Sequence, residues 1–179
     1  VNDAPSFVKG NNLTYLEDAP AASLPNWATS ILPGPANESA QTVEFVVSTN
    51  NSSLFSAGPA ISPIGTLTFT LAPNANGTAI VSAYLVDNGG TANAGDVDTS
   101  PTQTFTISVT PVNDPPTFGV AGNQTVAEDS PAQTVTDFIT NPSTGPADEA
   151  EQTYTFQVTN DKNHLFSVQP AIAPNGTLT

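Results

Sequence analysis

Carboxylates are the side chains most able to do chemistry in this sequence. Sixteen Asp and Glu stand against two lysines, Lys9 and Lys162, and no Arg, for a formal net charge of −14. Only Glu44 falls inside a stretch that reads as strand; the rest gather at strand ends, in loops and around two Val-Asn-Asp stretches. Oxygen donors at this density suit a hard cation. Such a cation needs several oxygen ligands at once, chiefly carboxylates and carbonyls. The competing reading is that these are solvated loop charges. Asp96 and Asp98, two apart in a Gly- and Asn-rich loop, form a separate candidate pair.

Other chemistries lack the residues they need. There is no Cys, and His164 is the single His, beside Lys162 in a polar turn. A nucleophile–base pair is therefore not visible, and no enzyme activity is expected. The acidic surface repels nucleic acid and anionic lipid, and no Arg supplies a bidentate fork for phosphate. No apolar run approaches the roughly 20 residues of a membrane-spanning helix, so no membrane insertion is expected. Seven Asn-x-Ser/Thr sequons, at Asn12, Asn37, Asn50, Asn51, Asn76, Asn123 and Asn175, offer glycosylation acceptors.

The framework that would position these groups is a repeat. Val1-Asn2-Asp3-Ala4-Pro5-Ser6-Phe7 returns as Val112-Asn113-Asp114-Pro115-Pro116-Thr117-Phe118, an offset of 111. The same offset carries Glu17-Asp18 onto Glu128-Asp129, Trp27 onto Phe138, Gly34-Pro35-Ala36 onto Gly145-Pro146-Ala147 and Leu54-Phe55-Ser56 onto Leu165-Phe166-Ser167. Without a gap, 31 of 68 aligned positions are identical. The expected organisation is a complete domain at 1–111 and the N-terminal part of a second copy at 112–179, a segment of a longer array. Tyr154, Phe156 and Val158 are then expected to lack the strands that cover them. Any secretion or anchoring signal is expected outside these residues.

Period-two alternation between turn residues predicts an all-β fold of about seven antiparallel strands per domain, arranged as a β-sandwich. Strands are predicted at Leu13–Glu17, Ala22–Ile31, Thr42–Ser48, Leu54–Ala57, Thr66–Leu71, Thr78–Val86 and Gln103–Val109. Val43, Phe45 and Val47 should share an inward face, as should Leu67, Phe69 and Leu71, and Phe105, Ile107 and Val109. Thr78–Val86 is apolar on both faces and reads as a central strand. Asn76-Gly77 and Asn88-Gly89-Gly90 mark turns, and helix should be nearly absent. Trp27 reads as core rather than as a sugar platform.

The junction Val112-Asn113-Asp114-Pro115-Pro116-Thr117-Phe118 resembles the interdomain linker of cadherins, Asp-x-Asn-Asp-Asn-x-Pro-x-Phe. Leu16-Glu17-Asp18-Ala19-Pro20 is similar to the cadherin Glu-Asn-x-Pro element, and Ala83, Asp87 and Gly89 are similar to its Ala-x-Asp-x-Gly element at looser spacing. Leu165-Phe166-Ser167 with Gly176 is similar to its Phe-x-Ile…Gly run. The resemblance is nearest to the cadherin-like, Ig-like repeats of large bacterial surface adhesins of the RTX type. It implies tandem Ig-like sandwiches with calcium at their junctions. Glu17, Asn113, Asp114, Asp148 and Glu149 would then serve one junction, and Asp87, Asn2 and Asp3, with Glu38, a preceding one. The sequence departs from the family in lacking an acidic residue near Leu71-Ala72-Pro73-Asn74 and in having one linker Asp rather than two. One or two ions per junction is the expectation.

The resemblance implies an extracellular stalk that projects a distal binding domain, with neighbouring repeats of the same chain as its partners. The alternatives are a subunit of an extracellular filament built by strand sharing with other copies, and a carbohydrate- or protein-binding module using Trp27, Tyr15 or Tyr84.

Overall fold

A computed structural model describes all 179 residues, which form two compact units, Val1–Val112 and Asn113–Thr179. In the first unit nine strands follow one another: β1 (Ser6–Val8), β2 (Leu13–Leu16), β3 (Ala22–Leu24), β4 (Thr29–Leu32), β5 (Val43–Thr49), β6 (Phe55–Ile61), β7 (Leu67–Leu71), β8 (Gly77–Asp87) and β9 (Gln103–Thr110). One sheet has the order β2-β9-β8-β5 and another β3-β7-β6, while β1 and β4 pair as a two-stranded ribbon. Helix is confined to three-residue 3-10 turns such as Ala36–Glu38 and Ser52–Leu54.

The core follows the alternation in the sequence. Phe105, Ile107 and Val109 are buried along β9, Leu67, Phe69 and Leu71 along β7, and Ala79, Val81, Ala83 and Leu85 along β8. Apolar side chains on the facing sheets leave water together, each contributing about 1.5–3 kcal/mol on full burial. Phe7 and Phe45 meet edge to face with centroids 4.9 Å apart. Trp27 is buried against Phe105 at 4.3 Å and donates its indole N–H to the carbonyl of Asn11. It is a core residue.

Three details differ from the expectation of seven antiparallel strands. The unit has nine, because β1 was too short to show alternation and Pro25-Asn26 splits the second predicted strand into β3 and β4. The pairing of β2 with β9 is parallel, from Leu13 opposite Ile107 to Leu16 opposite Thr110. Alternation reports which face a residue occupies and is silent on the direction of its neighbour. And β8, although central, is buried on one face only: Ile80 is exposed and Ser82, Tyr84 and Val86 are half-buried.

The second unit repeats local geometry at the same offset of 111. Its strands β10 (Thr117–Val120) and β11 (Ile139–Ser143) pair antiparallel. Thr117 opposite Ser143 and Gly119 opposite Thr140 reproduce Ser6 opposite Leu32 and Val8 opposite Thr29. Left-handed backbone at Asp18, Asn26 and Ser30 recurs at Asp129, Asp137 and Asn141. At Gly65 (φ 85°) and Gly176 (φ 81°) the carbonyl accepts from the amides of Ala28 and Ile139 respectively, both at 3.0 Å. Gly65 has a further reason to be Gly, because a β-carbon there would collide with the Ala28 carbonyl.

Burial separates the units. Phe7, Leu54 and Phe55 are 6%, 1% and 9% exposed, and their counterparts Phe118, Leu165 and Phe166 are 57%, 68% and 42%. Residues 154–160, the counterpart of β5, form no strand. Tyr154, Phe156 and Val158 are half-buried, with Phe156 edge to face on Phe118 at 5.5 Å. Residues 113–179 contain no counterparts of β8 and β9, the strands that complete the core of the first unit.

Candidate carboxylate clasp

At the start of the first unit, Asn2 is buried and hydrogen-bonded through its backbone and side-chain amides. Its amide donates to Asp96 Oδ1 at 2.9 Å, and its side-chain Nδ2 donates to Asp87 Oδ1 at 2.9 Å and to the Val97 carbonyl at 3.0 Å. Gln41 Nε2 donates to Asn2 Oδ1 at 2.8 Å. The amide of Asp3 donates to the buried Glu38 carboxylate, 3.1 Å to Oε1 and 3.3 Å to Oε2. Sequence places these groups: Pro35 starts the 3-10 turn that carries Glu38, and Asp87 ends β8, where its Oδ1 also accepts from Gly89 at 2.8 Å.

The second unit rebuilds part of this clasp from its own residues, although Asn113 is exposed and its Nδ2 donates to the Asp114 carbonyl at 3.1 Å. The amide of Asp114 donates to Glu149 Oε1 at 2.6 Å, and Gln152 Nε2 donates to Asn113 Oδ1 at 3.1 Å. The backbone contact Gln41 to Glu38, 2.9 Å, recurs as Gln152 to Glu149, 2.9 Å. Asn-Asp followed by Glu-x-x-Gln is thus a structural motif. Gln41 and Gln152 were absent from the predicted site; their identity at offset 111, between a buried Glu and an inward strand, was the available signal.

Satisfaction of these carboxylates is uneven. Asp87 Oδ2, Gln41 Oε1 and Glu149 Oε2 are buried and meet no hydrogen-bond donor. A buried acceptor without a donor costs about 1–3 kcal/mol, so each calls for a water or a cation. Gly34 and Gly145 leave no room for a β-carbon beside Glu38 Oε2 and Glu149 Oε2.

Glu17 has a separate place at the other end of the first unit. It is 3% exposed; Oε1 accepts the Val112 amide at 2.6 Å and Oε2 accepts from Asn76 Nδ2 at 3.2 Å. It therefore holds the chain where it leaves β9. The Asp96–Asp98 candidate resolves differently from a two-carboxylate cation site. Both Asp96 oxygens take amide protons, from Asn2 and from Asn93, and the Asn2 and Asn93 amides hold its carboxyl below the usual Asp range. Asp98 offers its backbone carbonyl to the Asp87 amide at 3.0 Å. Asp3 and Asp148 are exposed, and His164 is exposed in the 3-10 turn Asn163–Leu165.

No group of three or more His, Cys, Asp and Glu side chains is arranged to hold a metal ion. The residues present offer oxygen alone, and carboxylates fall short of a calcium shell, so amide oxygens, backbone carbonyls and water would have to complete it. Of the candidate aromatics, Trp27 is core and Tyr15 packs edge to face on Phe69 at 5.2 Å, which leaves Tyr84 half-exposed. No helix is long and apolar enough to cross a membrane. No family model matches the chain, and no curated protein matches it.

Proposed function

We propose that the chain is a spacer segment of an extracellular, cell-surface adhesin, built of tandem β-sandwich repeats whose ends are ordered by calcium. The observation that supports this reading is that a buried carboxylate oxygen meets no donor near the start of each unit, Asp87 Oδ2 in one and, at a non-equivalent position, Glu149 Oε2 in the other. An oxygen-only donor set, with His164 solvated and no Cys, favours calcium over zinc or copper. Asp87, Asp3 and Asn2 would serve it at the start of the first unit, and Asp114, Asp148, Glu149 and Asn113 at the start of the second. Glu17 would contribute beside the Val112 amide that it already holds. Calcium would supply positive charge where the chain offers only two lysines.

Thermal unfolding after EDTA treatment, with calcium titrated back, tests this reading. A melting temperature that rises with calcium, by an amount reduced in Asp87→Asn and Glu149→Gln, supports it. A melting temperature unchanged across the millimolar range sinks the calcium assignment.

A further inference from the structure

We infer that the open edge of β5 in the first unit is a docking site for an extended basic peptide, which adds to the sheet as a further strand. β5 ends its sheet, with β8 as its only neighbour. The phase of that pairing is fixed at both ends. The Asn88 amide donates to the Thr42 carbonyl at 3.2 Å, and the Asn50 amide to the Ile80 carbonyl at 3.1 Å. Bonded and non-bonded residues alternate in an antiparallel ladder, so Glu44, Val46 and Ser48 are the ones that exchange hydrogen bonds with β8. The amides and carbonyls of Val43, Phe45 and Val47 therefore point away from β8, along the free edge.

The other sheet edges are guarded against such pairing. β2 and β3 are only four and three residues long. β6 carries Gly58-Pro59, and its register with β7 shifts on either side of Ala57. β5 instead runs in unbroken register from Val43 opposite Asp87 to Thr49 opposite Val81, with neither Pro nor Lys. Between β5 and β6 lies a groove of about 590 Å³, walled by Phe45, Pro59, Ile61 and Pro63. Glu44 and Asp87 line it, and no cationic side chain does. Side chains of an added strand alternate, so those flanking the position opposite Glu44 turn into the groove. The one opposite Glu44 shares its exposed face, where Lys or Arg forms a cross-strand ion pair. A second copy is a poor occupant, because each chain carries a net charge of −14. The inference does not rest on calcium: the hydrogen bonds come from the β5 backbone and the ion pair from Glu44.

The test titrates the intact 179-residue chain, in EDTA, with an end-capped peptide alternating Val and Lys over the seven-residue length of β5. Binding with slowed amide exchange at Val43, Phe45 and Val47 is expected. A peptide alternating Val and Glu should bind roughly tenfold or more weakly, and Glu44→Lys should weaken the Val–Lys peptide by a similar factor. Glu44 is exposed, so this variant keeps the fold. Equal binding of a peptide with the same residues in two blocks would mean attraction by net charge alone, and overturns the inference. So do absence of binding, protection elsewhere, and self-association of the chain alone that protects the same three amides.

Discussion

Glu17 Oε1 accepts the backbone amide of Val112 at 2.6 Å across 95 residues of sequence. A buried carboxylate just after the second strand thus ties it to the chain two residues beyond the end of the last strand. Hydrogen bonds to a charged group contribute about 1.5–3 kcal/mol. Glu17→Ala should therefore lower the denaturation free energy of the first unit by about 2 kcal/mol, measured by urea unfolding with Trp27 fluorescence. A change below the error of extrapolation would mean that the tie is not formed in solution.

Asp87 separates the calcium reading from a purely structural one. Asp87→Asn keeps the shape, and its Oδ1 can still accept from Asn2 and Gly89, while the charge is gone. The expected outcome is a folded chain whose melting temperature no longer rises with calcium as the parent's does. A full calcium response in this variant would remove Asp87 from the ligand set.

Asp96 predicts a local acid response. Its folded pKa is depressed, so its contribution is present above the unfolded Asp value of about 3.9 and is lost as pH falls through the lower folded value. Amide-exchange protection of Asn2, whose N–H donates to Asp96 Oδ1, should decline in that acid window and not at neutral pH. In Asp96→Asn the pH dependence should vanish. Protection that tracks some higher pH would point to another group.

Trp27 should behave as core. Trp27→Ala is expected to cost about 3–5 kcal/mol, and iodide should quench the parent's fluorescence poorly. Efficient quenching would place the indole at the surface and revive a ligand-binding role for it.

Much of this was legible in the sequence, for physical reasons. The inward triads of β7 and β9 alternate with Thr and Ser, and that alternation alone fixes their faces. Trp27 sits at the offset of Phe138, which argued for packing over display. What escaped was partnership. Nothing in Leu13–Leu16 announces a parallel neighbour, and Ser6-Phe7-Val8 has one inward residue, too few to show a period. At the site, an acidic side chain reads the same whether it awaits a cation or accepts a backbone amide. Asp96 and Glu17 turned out to hold amides, and only the fold could show that.

The parallel pair of β2 and β9 has a mechanical consequence. The chain enters the first unit at Val1, pairs β1 with β4 before it forms β2, and leaves after β9, so tension that passes β1 pulls β2 and β9 lengthwise in opposite directions. Their hydrogen bonds, from Leu13–Ile107 to Leu16–Thr110, are then strained together in shear instead of opening one at a time as a peeled hairpin does. Burial of Ile107 and Val109 on the same strand adds resistance to sliding. Under a pull between the two ends of the unit, sliding β2 past β9 therefore requires these bonds to break together.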